Sequence, residues 1–192
     1  MNICVYGASS GHIAKVYHDS AYSLGEQIAK RNHKLVYGAG ANGVMGAAAR
    51  GAYDNGGVII GVAPSFFTVD GMLFDHCTEL IRTETMRERK KMLEDKSDAF
   101  IVAPGGLGTF DELFEILTLK QLGRHNKPVC FFNANGFYDA LLELLDKMAD
   151  SHFMKHKSLE LFKCFDDADQ MLTYIENYNE RPMDIAELKS IG

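Results

Sequence analysis

Short apolar runs alternate with longer amphipathic segments along this chain. The runs predict six strands, at residues 3–6, 35–37, 58–62, 79–81, 99–102 and 129–132. The segments between them predict helices near residues 13–31, 43–55, 85–95, 109–122, 137–150 and 167–178. This regular alternation predicts an α/β fold, a doubly wound and mostly parallel sheet with helices on both faces.

Residues 1–178 are predicted to form one domain. The chain has 192 residues, of which 46% are apolar and 24% charged, and this is enough for one buried core. Residues 179–192 contain Pro182 and show little periodicity, so they are predicted to form a C-terminal tail that is disordered or docks on a partner.

Charge and composition argue against several classes of function. The net charge is −6, which disfavours a nucleic-acid-binding surface. The longest apolar runs are strand-sized, so we expect a cytoplasmic protein that makes no membrane contact. The four cysteines lie far apart and are expected to stay reduced. No metal site is expected, since His152 and His156, which would share one face if their segment were helical, lie beside Lys155 and Lys157.

Three glycine-rich segments each follow a predicted strand and open a helix. They lie at residues 7–11, 38–43 and 104–109. In an open parallel sheet, ligands bind outside the carboxyl ends of the strands, where these segments meet. Gly38, Gly40 and Gly43 match the G-x-G-x-x-G pattern of dinucleotide sites. The next strand ends without the acidic residue that holds a ribose, however, so tight turns are the alternative explanation.

The segment 104–112 has the composition of a phosphate-binding loop. Its three glycines expose backbone N–H groups that can bind an anion, and the following helix is predicted to start at Thr109. Glu112 permits two interpretations. It either completes a capping box with Thr109, or it places a carboxylate beside a bound phosphate and a sugar carbon.

The predicted helix at residues 85–95 carries a cluster of basic residues. A charged run on a helix usually faces solvent. Met86 and Leu93 are seven residues apart and mark the core-facing stripe, and Arg89 and Lys90 fall between them on that stripe. Since a buried cation needs an anion, we expect Arg89 to line a ligand site.

Together, residues 5–11, 37–46, 86–90 and 104–112 resemble the LOG family, the cytokinin riboside 5′-monophosphate phosphoribohydrolases, often mislabelled as lysine decarboxylases. The pairing of R-K with P-G-G-x-G-T-x-x-E is the most specific part, and the resemblance covers roughly residues 1–178. It implies a Rossmann-like fold and homodimers or larger assemblies. It also implies hydrolysis of the N-glycosidic bond of adenine-type nucleoside 5′-monophosphates, either cytokinin ribotides or AMP, to free base and ribose 5-phosphate.

The resemblance also implies a set of site residues. Arg89 and Glu112 resemble the catalytic pair of the family. Lys90, Gly106, Leu107, Gly108 and Thr109 resemble its nucleotide-binding residues, and Thr118 resembles a further substrate contact. The predicted substrate-binding residues also include Ser9, Gly40, Gly43, Gly105 and Asp111, which lie in or beside the glycine-rich loops. Neither a cofactor nor a metal is implied. After Pro64 the family often carries a glutamate that helps to hold the substrate, and this chain lacks it, so the preferred base is left open.

The mechanism expected for the reaction follows from the departing base, which leaves an oxocarbenium-like sugar that a nearby carboxylate stabilises. Glu112 suits this position, and Arg89 can either bind phosphate or polarise the base.

A non-catalytic nucleotide or cofactor carrier on the same fold is the main alternative, and an oligomerisation scaffold is a weaker one. A pyridoxal-phosphate decarboxylase is disfavoured because no Schiff-base lysine is marked. For a homodimer, the helix at 137–150 and the tail are candidate interface elements.

Overall fold

The computed structural model describes residues 1–179, in which strands and helices alternate. The strands of this part of the chain are β1 (Asn2–Tyr6), β2 (Lys34–Tyr37), β3 (Val58–Pro64), β4 (Glu79–Thr83), β5 (Ala99–Val102), β6 (Val129–Phe132) and β7 (Lys163–Phe165). The α-helices are α1 (Lys15–Lys30), α2 (Gly43–Asp54), α3 (Met86–Lys96), α4 (Leu107–Gln121), α5 (Asp139–Asp150) and α6 (Ala168–Glu176). Short 3₁₀ segments at Ala134–Gly136 and His156–Leu161 flank α5.

The strands form one parallel sheet in the order β4-β3-β2-β1-β5-β6-β7. The chain begins in the middle of the sheet, moves outward to β4, and then returns to the other side of β1. In the register, Cys4 of β1 lies beside Val36 of β2 and Phe100 of β5. This reversal of direction leaves a crevice at the carboxyl ends of the central strands, which is where such folds bind ligands.

Both faces of the sheet are buried. Ile3 and Val5 of β1 pack toward α1, α2 and α6, whereas Cys4 and Tyr6 pack toward α3 and α4. The period of two in a strand explains this division, because neighbouring side chains point to opposite faces. Helices on both faces therefore confirm the predicted doubly wound α/β architecture.

The predicted elements are confirmed, with one omission. All six predicted helices are present, and each begins and ends within two residues of its predicted limits. The structure adds β7, a seventh strand of only three residues, Lys-Cys-Phe, at the edge of the sheet beside β6. Nearly all of the predicted tail at 179–192 lies outside the described residues.

Two global properties of the described chain bear on function. No helix within residues 1–179 is both long and apolar enough to cross a membrane. All four cysteines are free thiols, and Cys4 and Cys130 are buried.

Candidate active site

A cavity of about 620 Å³ opens at the carboxyl ends of the central strands. Its walls come from the loops after β1 and β2, the start of α3, the first turns of α4, and the loop between β3 and β4. Most of the residues predicted for the site line it. They are Ser9, Gly40, Arg89, Lys90, Gly106, Leu107, Gly108, Thr109, Asp111 and Glu112.

Arg89 and Glu112 form an ion pair in the wall of this cavity. Nη1 of Arg89 donates a hydrogen bond of 2.8 Å to Oε1 of Glu112, and Nε donates one of 3.1 Å to the carbonyl of Val62 in β3. Arg89 is 5% exposed and Glu112 is 8% exposed. Burial raises the pKa of the Glu112 carboxyl above its ordinary value, and the Arg89 charge opposes that rise. Arg89 is thus buried with an anionic partner, as expected, but Met86, predicted to face the core on the same stripe, is 41% exposed and lines the cavity.

The position of Arg89 is set by the way α3 begins. Oγ1 of Thr85, the N-cap residue, accepts a 3.1 Å hydrogen bond from the backbone N–H of Glu88. The Glu88 carboxylate in turn accepts one of 2.9 Å from the backbone N–H of Glu84. The first bond satisfies an N–H group that the first helical turn leaves without a partner, and the second holds the residue before the N-cap. They fix the turn from which Arg89 projects.

The capping-box interpretation of Glu112 is wrong. Helix α4 begins at Leu107 rather than at Thr109, and its N-cap is Gly106, which has no side chain to serve as a cap. Glu112 therefore lies in the second turn, where backbone N–H groups already have helical partners. Its carboxylate is bound by the Arg89 side chain instead.

Lys90 lies beside this pair and is held by two other carboxylates. Its Nζ is 3.1 Å from Asp111 and forms a closer ion pair with Glu115, so two carboxylates of α4 bind a cation of α3. The hydrogen bond to Glu115 raises the pKa of Lys90 above its usual value, and Asp111 adds to the effect. The ammonium of Lys90 is thus charged at neutral pH.

The first turn of α4 supplies a candidate anion site. Gly106, Leu107, Gly108 and Thr109 line the cavity, and no side chain caps this end of the helix. The N–H groups of a first turn lack helical partners, and the helix dipole places a partial positive charge there. Gly105, predicted to bind substrate, does not line the cavity; a side chain there would come within 2.1 Å of Oγ1 of Thr109. The arrangement suits a phosphate or a similar anion.

The G-x-G-x-x-G segment does not form a phosphate cradle like that of a dinucleotide site. The backbone N–H of Met45, near the start of α2, donates a 3.1 Å hydrogen bond to the carbonyl of Ala8. Gly43 has φ +65°, and a side chain there would come within 2.4 Å of the same carbonyl. Gly43 therefore allows the loops after β1 and β2 to pack together, and it does not line the cavity.

Sequence comparisons identify the family. The family described as "Possible lysine decarboxylase" matches residues 45–175. A cytokinin riboside 5′-monophosphate phosphoribohydrolase of Arabidopsis thaliana is 39% identical over 176 residues, covering 92% of this chain and 83% of that protein. A probable enzyme of the same name from Oryza sativa subsp. japonica is 35% identical over 187 residues, covering 97% of this chain and 76% of that protein. The chain belongs to the LOG family.

Solved structures show the same fold. The molybdenum cofactor carrier protein of Chlamydomonas reinhardtii matches this LOG-family chain with a TM-score of 0.69 and 24% identity, covering 91% of this chain and 95% of that one. A molybdenum cofactor binding protein from Rippkaea orientalis matches with a TM-score of 0.68 and 23% identity, covering 91% and 93%. At this level of identity the likeness concerns the fold alone.

Thr118 is not brought into the cavity of this LOG-family chain. It is exposed on α4, beyond the two turns that line the cavity. There it borders a separate shallow depression together with Phe110, Phe114 and Glu115. Within a single copy of the chain, Thr118 therefore does not reach the cavity, and its contact with the substrate stays a prediction.

One wall of the cavity was missed by the sequence analysis. It is apolar, and its side chains are Met45, Phe67, Met72, Leu73 and Met86. Residues 65–75 of the loop after β3 bring Phe67, Met72 and Leu73 to the site. This loop is held by hydrogen bonds of 2.9 Å from the Ala41 N–H to the Met72 carbonyl and of 3.0 Å from the Phe74 N–H to the Ala39 carbonyl. No motif marks the loop, and its unusual length was the available signal.

The described residues contain no cluster suited to a metal ion. Within residues 1–179, no group of three or more His, Cys, Asp and Glu side chains is arranged to bind one. His156 instead lies 3.4 Å from the Asp150 carboxylate on the surface.

Proposed function

We propose that this chain hydrolyses the N-glycosidic bond of adenine-type nucleoside 5′-monophosphates and releases the free base and ribose 5-phosphate. The observation that carries the proposal is the buried Arg89–Glu112 pair in a cavity that also contains an uncapped helix N-terminus. Its relatives at 35–39% identity are named as phosphoribohydrolases of this substrate class. Both AMP and cytokinin ribotides fall within the proposal.

The 5′-phosphate is assigned to the first turn of α4. The backbone N–H groups at Leu107, Gly108 and Thr109 supply donors, and the helix dipole favours a dianion there. Ser9 lies across the same cavity and offers a hydroxyl. Lys90 is a poorer candidate for direct phosphate contact, since Asp111 and Glu115 already neutralise it.

Glu112 is assigned the role of stabilising the sugar. As the base departs, positive charge develops on the ribose, and a carboxylate in a buried site stabilises that charge strongly. Burial raises the pKa of this carboxyl, and the charge and hydrogen bond of Arg89 oppose that rise by favouring the ionised form. Arg89 also leaves the Nη2 side of its guanidinium for the leaving base or for phosphate, and either contact fits the proposal.

The apolar wall is assigned to the base. Phe67 offers an aromatic surface, and the thioethers of Met45, Met72 and Met86 are flexible enough to adapt to bases of different size. A purine with or without an apolar substituent could pack against such a wall.

A lysine decarboxylase is not favoured by the electrostatics of the site. A Schiff-base lysine must lose its proton, which requires a lowered pKa. The lysine that lines the cavity, Lys90, has a raised pKa because Glu115 and Asp111 bind its charged form.

Two further properties are part of the proposal. A homodimer is supported by exposed apolar residues, such as Leu107 at the rim of the cavity, which is 90% exposed, Phe114 on the same helix, and Phe137. In such a dimer Thr118 could meet the site of the partner copy. A cytoplasmic location is supported by the four free cysteines, because a reducing compartment keeps thiols free.

The test of the function is a panel of nucleotides incubated with the protein and separated by chromatography. We expect free adenine-type base and ribose 5-phosphate from at least one nucleoside 5′-monophosphate. Saturable binding without turnover of any member would instead favour a carrier, the alternative that the same fold permits.

A further inference from the structure

Gly38, the residue after β2, lies directly against the guanidinium of Arg89. A methyl group on Gly38 would be 1.9 Å from Nη2 of Arg89 and 3.1 Å from Cζ, and at a milder 3.2 Å from Sδ of Met45. Carbon and nitrogen atoms that are not bonded stay about 3.5 Å apart or more. The guanidinium therefore occupies space that exists only because residue 38 has no side chain.

The backbone conformation does not explain this glycine. Gly43, in the same loop, has φ +65°, a region that L-residues rarely adopt, whereas Gly38 is not among the residues with positive φ. An alanine could take the backbone conformation of Gly38 without strain. The remaining reason for a glycine at position 38 is therefore the space that it leaves for the side chain of Arg89.

Arg89 cannot easily move away from an added methyl group. Its Nε donates to Val62 at 3.1 Å, its Nη1 donates to Glu112 at 2.8 Å, and its backbone is fixed in the first turn of α3. A displacement of about 1.5 Å would be needed to restore a normal contact at Nη2. Such a shift would break at least one of the two side-chain hydrogen bonds.

We infer that Gly38 is a positioning residue for Arg89 in the reaction. It leaves the space in which the guanidinium binds Val62 and Glu112 at once, with Nη2 lying against Gly38. The inference rests on the proposed function, since it assigns Gly38 a role in the same chemistry. Misplacing a catalytic group by about 1 Å can cost roughly 10²-fold in rate, so an alanine at this position should be costly.

The experiment is a double-mutant cycle with Gly38→Ala, Arg89→Lys, the combination of both, and the unmodified protein. We expect Gly38→Ala alone to reduce kcat/KM by about 10²-fold, with most of the loss in kcat. Lysine has no Nη2 atom, so in the Arg89→Lys background the same change should cost less than about threefold. Melting temperatures are measured for all four proteins.

A matched control separates positioning from general destabilisation. In Gly57→Ala the new methyl would approach Cβ of Ala29 to 2.7 Å, at the amino end of β3 and away from the cavity. This variant should lower the melting temperature and leave kcat unchanged. An equal loss of kcat/KM from Gly38→Ala in both backgrounds, or no loss in either, would overturn the inference.

The stability data keep this inference distinct from the proposed function. If the unmodified protein cleaves no nucleotide, the proposed function fails. The four proteins of the cycle are then compared by their melting temperatures instead of by kcat/KM. A decrease that depends on Arg89 would then support the packing role of Gly38, and an equal decrease in both backgrounds would refute it.

Discussion

Replacement of Glu112 by glutamine tests the central assignment. The change keeps the size of the side chain, and the amide oxygen can still accept the hydrogen bond from Nη1 of Arg89, now 2.8 Å from Oε1. It removes the negative charge that would face the developing oxocarbenium. We expect activity to fall by about 10²-fold or more, which corresponds to about 2.7 kcal/mol of lost transition-state stabilisation.

The effect on stability should be smaller, because two terms oppose each other. Loss of the charged acceptor weakens a hydrogen bond worth about 1.5–3 kcal/mol. Replacing a buried carboxylate by a neutral amide also removes a desolvation cost, which the raised pKa of Glu112 reveals. We expect a net change within about 2 kcal/mol, or roughly 4–8 °C in melting temperature. Glu112→Ala, which leaves Arg89 without its acceptor, should cost more, about 3–5 kcal/mol.

The assay compares kcat, nucleotide affinity and melting temperature for the two variants and the unmodified protein. Because the ionised carboxylate is the active form, kcat of the unmodified protein should fall as the pH drops through the raised pKa of Glu112. The glutamine variant should lack this acidic limb. Near-normal turnover by Glu112→Gln would refute the role assigned to the carboxylate.

Three other predictions follow from the structure. If the α4 N-terminus binds the 5′-phosphate, AMP should be cleaved with a much higher kcat/KM than adenosine, and equal values for the two would contradict the assignment. Light scattering at micromolar concentration should give the mass of a dimer, and a monomer mass would count against the proposed assembly. Burial lowers the pKa of His125 from 6.5 to about 4. The free energy of unfolding should therefore be unaffected by His125 above pH 6.5, and it should fall by up to roughly 3 kcal/mol as the pH drops toward 4. Chemical denaturation across this range should show a flatter profile for His125→Gln, and an unchanged profile would contradict the role of His125.

The sequence predicted the sheet and helices well because burial imposes clear periodicities. Strands buried on both faces, such as β5, are short runs of apolar residues, and helices show an apolar stripe. The edge strand β7 was not predicted. Its three residues include Lys163, which is exposed, so no run of apolar residues distinguishes the strand from a loop. The start of α4 was misplaced because Thr109 resembles a cap, whereas the backbone enters the helix at Gly106 without one.

The site was predictable only where a motif carried it. Arg89 and Glu112 were both identified, but their contact joins residues 23 positions apart and depends on how α3 and α4 pack. The apolar wall was not identified, since Phe67 and Met72 come from a loop with no periodic pattern. The position of Thr118 outside the cavity of its own copy was not predictable, because a motif records sequence position and not which side of a helix faces the cavity.

The division of charge within the cavity links these observations. Arg89 and Lys90 are matched by Glu112, Asp111 and Glu115, so their side-chain charges leave no excess of positive charge for a phosphate. In the proposed function, the backbone N–H groups at the start of α4 therefore supply most of the attraction for the dianion. Glu112 lies five residues after Leu107, about 7.5 Å along the same helix axis. In the proposed function, one helix would therefore bind the phosphate at its end and place a carboxylate farther along, on the scale of one ribose, so that holding the phosphate would also set the position of the bond to be cleaved.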